Sequence, residues 1–302
     1  MPPSSSPAKR LRYFVLLVAA LCLVFSKTLF EWVRLALAID LHSHVILVPF
    51  ISAYLVWQKR ADLPTTFSAS PVAGAIPAAL GLVALGAPAV FRAQGSPLSP
   101  VGALDLKLAA VLMFSLWGAL TMLGIPTLRK LIFPTAFLVF MLPLPPAFEN
   151  AIEIFSQRAS AEATAGYFAL SGESVFRDGQ VFKLPGVTIE VAQECSGIRS
   201  SYVLFMTSLL AGHLFLRSPW RRTFLAFFVI PLGILRNGFR VWLLATLASR
   251  FDPRWLDSPL HHRGGPLFFL LSLIPFFLVL FWLIRRDRRK NPLPTVAQAS
   301  RA

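Results

Sequence analysis

Long apolar runs alternate with short polar breaks along this chain, and the alternation predicts most of its architecture. Apolar stretches occupy residues 13–29, 45–57, 72–91, 104–123, 131–144, 198–216, 223–247 and 266–284. Several approach the ~20 residues a helix needs to cross ~30 Å of hydrocarbon. Clusters of Lys and Arg fall at 9–12, 59–60, 129–130, 217–222 and 285–290, on alternate breaks. Cytoplasmic loops of membrane proteins carry this excess of positive charge. The expectation is an all-α polytopic membrane protein with about eight transmembrane helices and both termini in the cytoplasm.

One region departs from that pattern. Residues 147–171 alternate with helical period and carry Glu149, Asn150, Glu153, Gln157 and Arg158, so they predict an amphipathic helix on the outer surface or lining a cleft. Residues 174–191 are β-branched runs punctuated by Asp178-Gly179 and Pro185-Gly186, which predict a small hairpin. Five regions follow: a basic cytoplasmic tail at 1–12, an N-terminal five-span bundle at 13–146, an extracytoplasmic helix and hairpin insertion at 147–194, a three-span region at 195–285, and a basic tail at 286–302. Residues 31–44, with Asp40, His42 and His44, read as an outer connection. The stretch 72–91 is rich in Ala and Gly, which suits close helix packing in lipid.

Composition supports the membrane reading. Of the 302 residues, 56% are hydrophobic and 14% charged, with mean hydropathy +0.65. A soluble domain carries about 25% charged residues. The net charge of +15 would point to nucleic acid in a soluble protein. Here its placement assigns it to topology and anionic membrane lipid, and no nucleic-acid-binding motif accompanies it. The first apolar stretch lacks a small-residue cleavage site and reads as a retained span. No internal repeat supports an inverted-repeat transporter. The two cysteines cannot form a disulfide framework. Cys22 reads as a small buried hydrophobe.

Cys195 sits differently. It lies in Glu190-Val-Ala-Gln-Glu-Cys-Ser-Gly-Ile-Arg-Ser-Ser-Tyr-Val203, a polar run that opens directly into an apolar stretch. A helix N-terminus favours a thiolate. Ser196 and Gly197 leave room for a substrate backbone, and Arg199 can face the sulfur. The N–H groups that follow can donate to a tetrahedral oxyanion. Arg240 lies within an apolar stretch beside Arg236 and Asn237. Charge at that depth is costly and by default marks function. A guanidinium cannot readily act as a base, so its work would be to stabilise a thiolate or oxyanion, or to hold substrate. His261 and His262 precede Gly264-Gly265, and histidine is the usual base and acid for a cysteine nucleophile. With eight spans, Cys195, Arg240 and His261 all fall near the outer face. No histidine spacing supports a metal site, and no cofactor is expected.

These residues resemble the exosortase/archaeosortase family of membrane cysteine transpeptidases. The resemblance runs from about His42 to Trp282. It includes His44-Val-Ile-Leu-Val-Pro-Phe-Ile-Ser-Ala-Tyr-Leu-Val-Trp57, Phe137-Leu-Val-Phe-Met-Leu-Pro-Leu-Pro145, the Glu194-Cys-Ser-Gly-Ile-Arg-Ser200 block, Asn237-Gly-Phe-Arg240 and His261-His-Arg-Gly-Gly265. It implies that Cys195 is the nucleophile forming an acyl-thioester, completed by Arg240 and His261, with Arg199, Ser196 and Asn237 in support. The family spacing to Gly265 selects His261 over His262, and its Asn-x-x-Arg order selects Arg240 over Arg236. Its substrates would be exported proteins with a C-terminal motif, a membrane helix and a basic tail, cleaved and passed to an amine or lipid acceptor. The cytoplasmic membrane would hold the protein, with its site on the outer face.

Two other classes fit parts of the pattern. A non-enzymatic transporter or envelope-assembly scaffold would use Arg236 and Arg240 to line an anion path. A lipid or polysaccharide transferase would use the outer-face Arg and His on a polyprenyl phosphate, and would survive loss of Cys195.

Overall fold

The computed structural model describes residues 7–38, 45–64, 67–191, 197–258 and 264–290. They form helices almost throughout, and the chain divides into two compact units, Met1–Pro146 and Ala147–Ala302. Four helices are long and apolar enough to cross a membrane, Pro71–Ala93, Pro100–Met122, Pro219–Arg250 and Gly265–Arg289; the number rises to six if each of two bent helix pairs is one span. Two shorter apolar helices, Leu47–Gln58 and Ser200–Phe215, accompany them.

The first unit begins with α1 (Pro7–Val24) and α2 (Ser26–Ala38), whose axes differ by 71° across Phe25. The sequence pattern predicts one span to residue 29 and then a polar connection. Instead the chain turns early and stays helical. Thr28, Trp32 and Ala36, four apart, form the buried stripe of α2, while Lys27 and Arg34 stay exposed. Glu31 and Arg34 interrupt the apolar pattern along the chain, but they leave the buried stripe of the helix unbroken. Trp32 Nε1 donates to the Met141 carbonyl at 2.9 Å and fixes the helix against the end of the unit. Cys22 corrects a second expectation. It is exposed on α1, on a side that shares its exposure with Leu23 and Val24. That face suits lipid, which is as apolar as the interior expected for it.

Next come α3 (Leu47–Gln58), α4 (Pro71–Ala93), α5 (Pro100–Met122), α6 (Ile125–Lys130) and α7 (Ile132–Phe137), the last extended by a 3₁₀ turn at Leu138–Met141. Helices α4 and α5 pack as an antiparallel pair. Their close approach explains the glycines. A Cβ at Gly74 would lie 2.7 Å from Thr121 Cγ2, and one at Gly81 would lie 2.9 Å from Phe114 Cε1. Small residues at this spacing let helix backbones meet where lipid supplies no hydrophobic drive.

The second unit contains α8 (Pro146–Ser171), a three-stranded sheet, α9 (Ile198–Phe215), α10 (Pro219–Arg250) and α11 (Gly265–Lys290). The expected hairpin is a meander of β1 (Phe176–Asp178), β2 (Val181–Leu184) and β3 (Val187–Glu190), all antiparallel. Both turn signals are used. Gly179 and Gly186 have φ of +58° and +78°, the left-handed region that only glycine adopts without penalty. Arg177 on β1 grips Glu162 on α8 with both terminal guanidinium nitrogens, at 2.5 and 3.0 Å.

Two cores hold this unit. Leu204, Leu225, Val229, Phe276 and Leu280 join α9, α10 and α11. Ala161, Phe168, Phe182, Val191, Val241 and Ala245 join α8, the sheet and α10. α10 therefore serves both cores, and its C-terminal half carries the candidate arginines. At the other end of the unit, Asp287 is buried, accepts from the Arg217 amide at 2.7 Å and pairs with Arg221. Two of the basic clusters are thus drawn to one end of the bundle.

Candidate functional site

The site is built where α8, α9 and α10 meet. Cys195, Ser196, His261 and His262 lie outside the described residues, as does the Arg199 side chain, whose backbone forms the first turn of α9. Arg240 and Asn237 lie on α10. The geometry therefore concerns what holds the two ends of the 192–196 segment, and what stands where α11 begins.

Upstream, β3 delivers the chain to Val191, which is fully buried. Its amide donates to the Gln180 carbonyl at 3.0 Å, and its carbonyl accepts from Gln157 Nε2 of α8 at 2.6 Å. Downstream, Gly197 caps α9 with φ +69°. Its carbonyl accepts three hydrogen bonds: from the Ser201 amide at 3.0 Å, from Ser200 Oγ at 3.0 Å and from Arg236 Nη2 at 3.2 Å. Arg236 Nη2 also donates to Ser201 Oγ at 3.1 Å. A Cβ on Gly197 would lie 3.1 Å from Asn237 Oδ1 and 3.3 Å from Arg236 Nη2. The backbone angle favours glycine here, and any side chain would have to shift Asn237 and Arg236 slightly.

Asn237 extends the network into α8. Its Nδ2 donates to Ser160 Oγ at 3.0 Å, both residues being buried. Thr164 Oγ1 donates to the Ser160 carbonyl at 2.8 Å and lies 3.3 Å from the Gly238 carbonyl. Gly238 permits this approach, since a Cβ there would meet Ala163 Cβ at 2.6 Å. Buried polar groups are costly unless hydrogen-bonded, and the bonds made here favour one packing arrangement. That arrangement sets both ends of the segment containing Cys195.

Arg240 stands one helical turn beyond Arg236. Its Cζ lies 5.9 Å from the Phe268 ring centroid of α11, a cation–π distance. Phe268 is buried in the first turn of α11, its amide bonded to the Gly264 carbonyl at 3.1 Å. It also meets Phe239 edge-on at 6.4 Å, and Phe239 packs with Tyr167 and Trp242 at 5.8 and 5.5 Å. Arg240 is thus held at the start of α11, immediately after the stretch that carries His261.

The sequence reading singled out Arg240 and Asn237 and ranked Arg236 behind Arg240. Arg236 is the arginine that contacts Gly197. Gln157, a polar position of the helix expected on the outer surface or lining a cleft, is buried and holds Val191. A signal for it existed: Gln157, Ser160, Ala161, Thr164 and Phe168 follow helical spacing and are all buried. The small polar members hid the stripe, because they do not read as a core face.

Comparison with known proteins gave one match. No curated protein and no solved structure matched the chain. The transmembrane exosortase family matches residues 32–278, a range that takes in α3, the 192–196 segment, all of α10 and the start of α11. That match covers most of the chain, and several of its helices are apolar and long enough to span a bilayer. The chain is an integral membrane protein that belongs to the transmembrane exosortase family.

Proposed function

We propose that this protein is a membrane-embedded cysteine protease and transpeptidase with eight spans and its site at the outer face of the cytoplasmic membrane. The observation that carries the reading is the polar cluster of Gln157, Ser160, Arg236 and Asn237, which holds the two residues flanking 192–196. A chain segment fixed at both ends by buried hydrogen bonds is the kind of support a nucleophile needs, since small misplacements cost large factors in rate. Family membership supplies the reaction class.

In this reading the Cys195 thiolate attacks the scissile carbonyl of an exported protein near its C-terminal membrane helix. The carbonyl oxygen takes the electron pair, and Arg240 supplies positive charge to that region. His261 protonates the departing amine, leaving an acyl-thioester on Cys195. An acceptor amine or lipid nucleophile then gives its proton to His261 and releases the thioester. The eight spans of this reading are the apolar stretches named from the sequence, four of them long helices and two of them short apolar helices that are thin for a full bilayer.

The histidine assignment is testable. His261→Ala is expected to lower processing by about 10²–10⁴-fold, the usual contribution of a positioned acid and base. His262→Ala is expected to stay within about threefold of the parent, since a residue outside the proton path gives none of that contribution. Accumulation of uncleaved precursor in cells reads both. Full activity in the first variant with loss in the second would move the role to His262.

A further inference from the structure

Where α10 begins and α11 stops, α11 has two faces of opposite character. Phe276, Leu280, Leu283 and Asp287, which follow helical spacing, are buried. Asp287 accepts from the Arg217 amide and pairs with Arg221, and so fixes the rotation of the last turns of α11. Arg285 and Arg289 lie two residues to either side of Asp287, about 200° round the helix. Both are exposed. The same exposed face carries Leu278, Phe281 and Trp282 earlier in the helix. It therefore runs from apolar to aromatic to cationic over about three turns. Arg286 completes it. Its Cζ stands 4.2 Å from the Trp282 ring centroid, a cation–π distance. Stacking uses the flat face of the guanidinium and leaves its N–H edge for an anion. Asp287 is the single acid in the run 285–290, and it is already engaged inside the bundle.

We propose that this face of α11 is a binding site for one anionic phospholipid. Arg286, stacked on Trp282, takes the phosphate, with Arg285 and Arg289 beside it, and the acyl chains lie along Leu278 and Phe281. The order of chemistry along the helix selects this partner. An indole settles at headgroup depth. Three guanidinium groups follow it on the water side, and apolar side chains precede it on the hydrocarbon side. Free phosphate would leave the apolar half unused, and so would a soluble acidic protein. Positive charge alone attracts anionic lipid diffusely, with Lys and Arg alike. A guanidinium held flat on a ring presents two parallel N–H groups to a phosphate, which an ammonium cannot do. The inference needs only that the chain is an integral membrane protein, and it is independent of which residue is the nucleophile.

The test titrates the delipidated full chain, in a non-ionic detergent, with phosphatidylglycerol or with phosphatidylcholine of the same acyl chains. Native mass spectrometry counts the lipids bound. The first phosphatidylglycerol is expected to bind at least about tenfold tighter than phosphatidylcholine, the scale of a charge-assisted contact. Trp282→Leu and Arg286→Lys both keep the net charge, and each is expected to bring the preference within about threefold, because the stacked fork is lost. Inorganic phosphate, compared with chloride at equal ionic strength, is expected to displace little of the lipid. Equal binding of the two lipids by the parent overturns the proposal without any variant, should the variants fail to fold. A preference that survives both substitutions reduces the face to diffuse charge and overturns the site. Full displacement by inorganic phosphate overturns lipid as its occupant.

Discussion

Cys195→Ser is expected to reduce substrate processing by about 10⁴-fold or more, while the protein still inserts and folds in the membrane. The reason is chemical. A serine hydroxyl has no accessible anionic form near neutral pH, and a histidine that serves as acid to the leaving amine is already protonated when the nucleophile attacks. Serine keeps the shape of cysteine with a smaller terminal atom, so it adds no clash and the supports of the segment at Val191 and Gly197 should survive. Accumulated precursor, measured beside the amount of membrane-inserted enzyme, separates lost chemistry from lost protein. Processing within tenfold of the parent would point to the transferase alternative, which works without Cys195.

Gly197→Val is expected to produce the second large effect. Gly197 sits at φ +69°, a region that costs other residues about 1–2 kcal/mol, and a β-branched side chain more. Its Cβ would meet Asn237 Oδ1 at 3.1 Å and Arg236 Nη2 at 3.3 Å. The valine methyls would press further, so the guanidinium must leave the Gly197 carbonyl or the turn must move. Destabilisation should be modest, about 2–3 kcal/mol, since the two cores of the unit lie elsewhere. Activity should fall by more than about 10²-fold, because the displaced turn follows the nucleophile directly. The measurement compares thermal stability with turnover. A variant that loses stability and activity in proportion would show that the turn serves folding alone.

The membrane architecture was legible because its signal is long. A run of apolar residues closed by Lys and Arg needs no knowledge of tertiary contacts, and α4, α5, α10 and α11 fall where the pattern placed them. The bend at Phe25 was not legible, since it depends on Trp32 reaching the Met141 carbonyl more than a hundred residues away. The turns at Gly179 and Gly186 were readable from local chemistry, but the third strand was not, because it depends on pairing with β2, Val181 with Glu190 and Lys183 with Thr188. The site divided the same way. Chemistry-bearing residues stood out as polar groups in apolar surroundings. The residues that hold them did not. Ser160 and Thr164 are ordinary in sequence, and gain meaning only when Asn237 and the Gly238 carbonyl arrive from α10. Arg236 and Arg240 look alike along the chain. The fold places one against Gly197 and one against Phe268.

The central claim is that Cys195 carries the substrate acyl group during turnover. The most direct measurement quenches the enzyme with acid during processing and maps adducts by mass spectrometry. A substrate-derived fragment on the peptide containing Cys195, released by neutral hydroxylamine as thioesters are, is the predicted result. An adduct on another residue, or turnover with Cys195 unmodified throughout, would contradict the account.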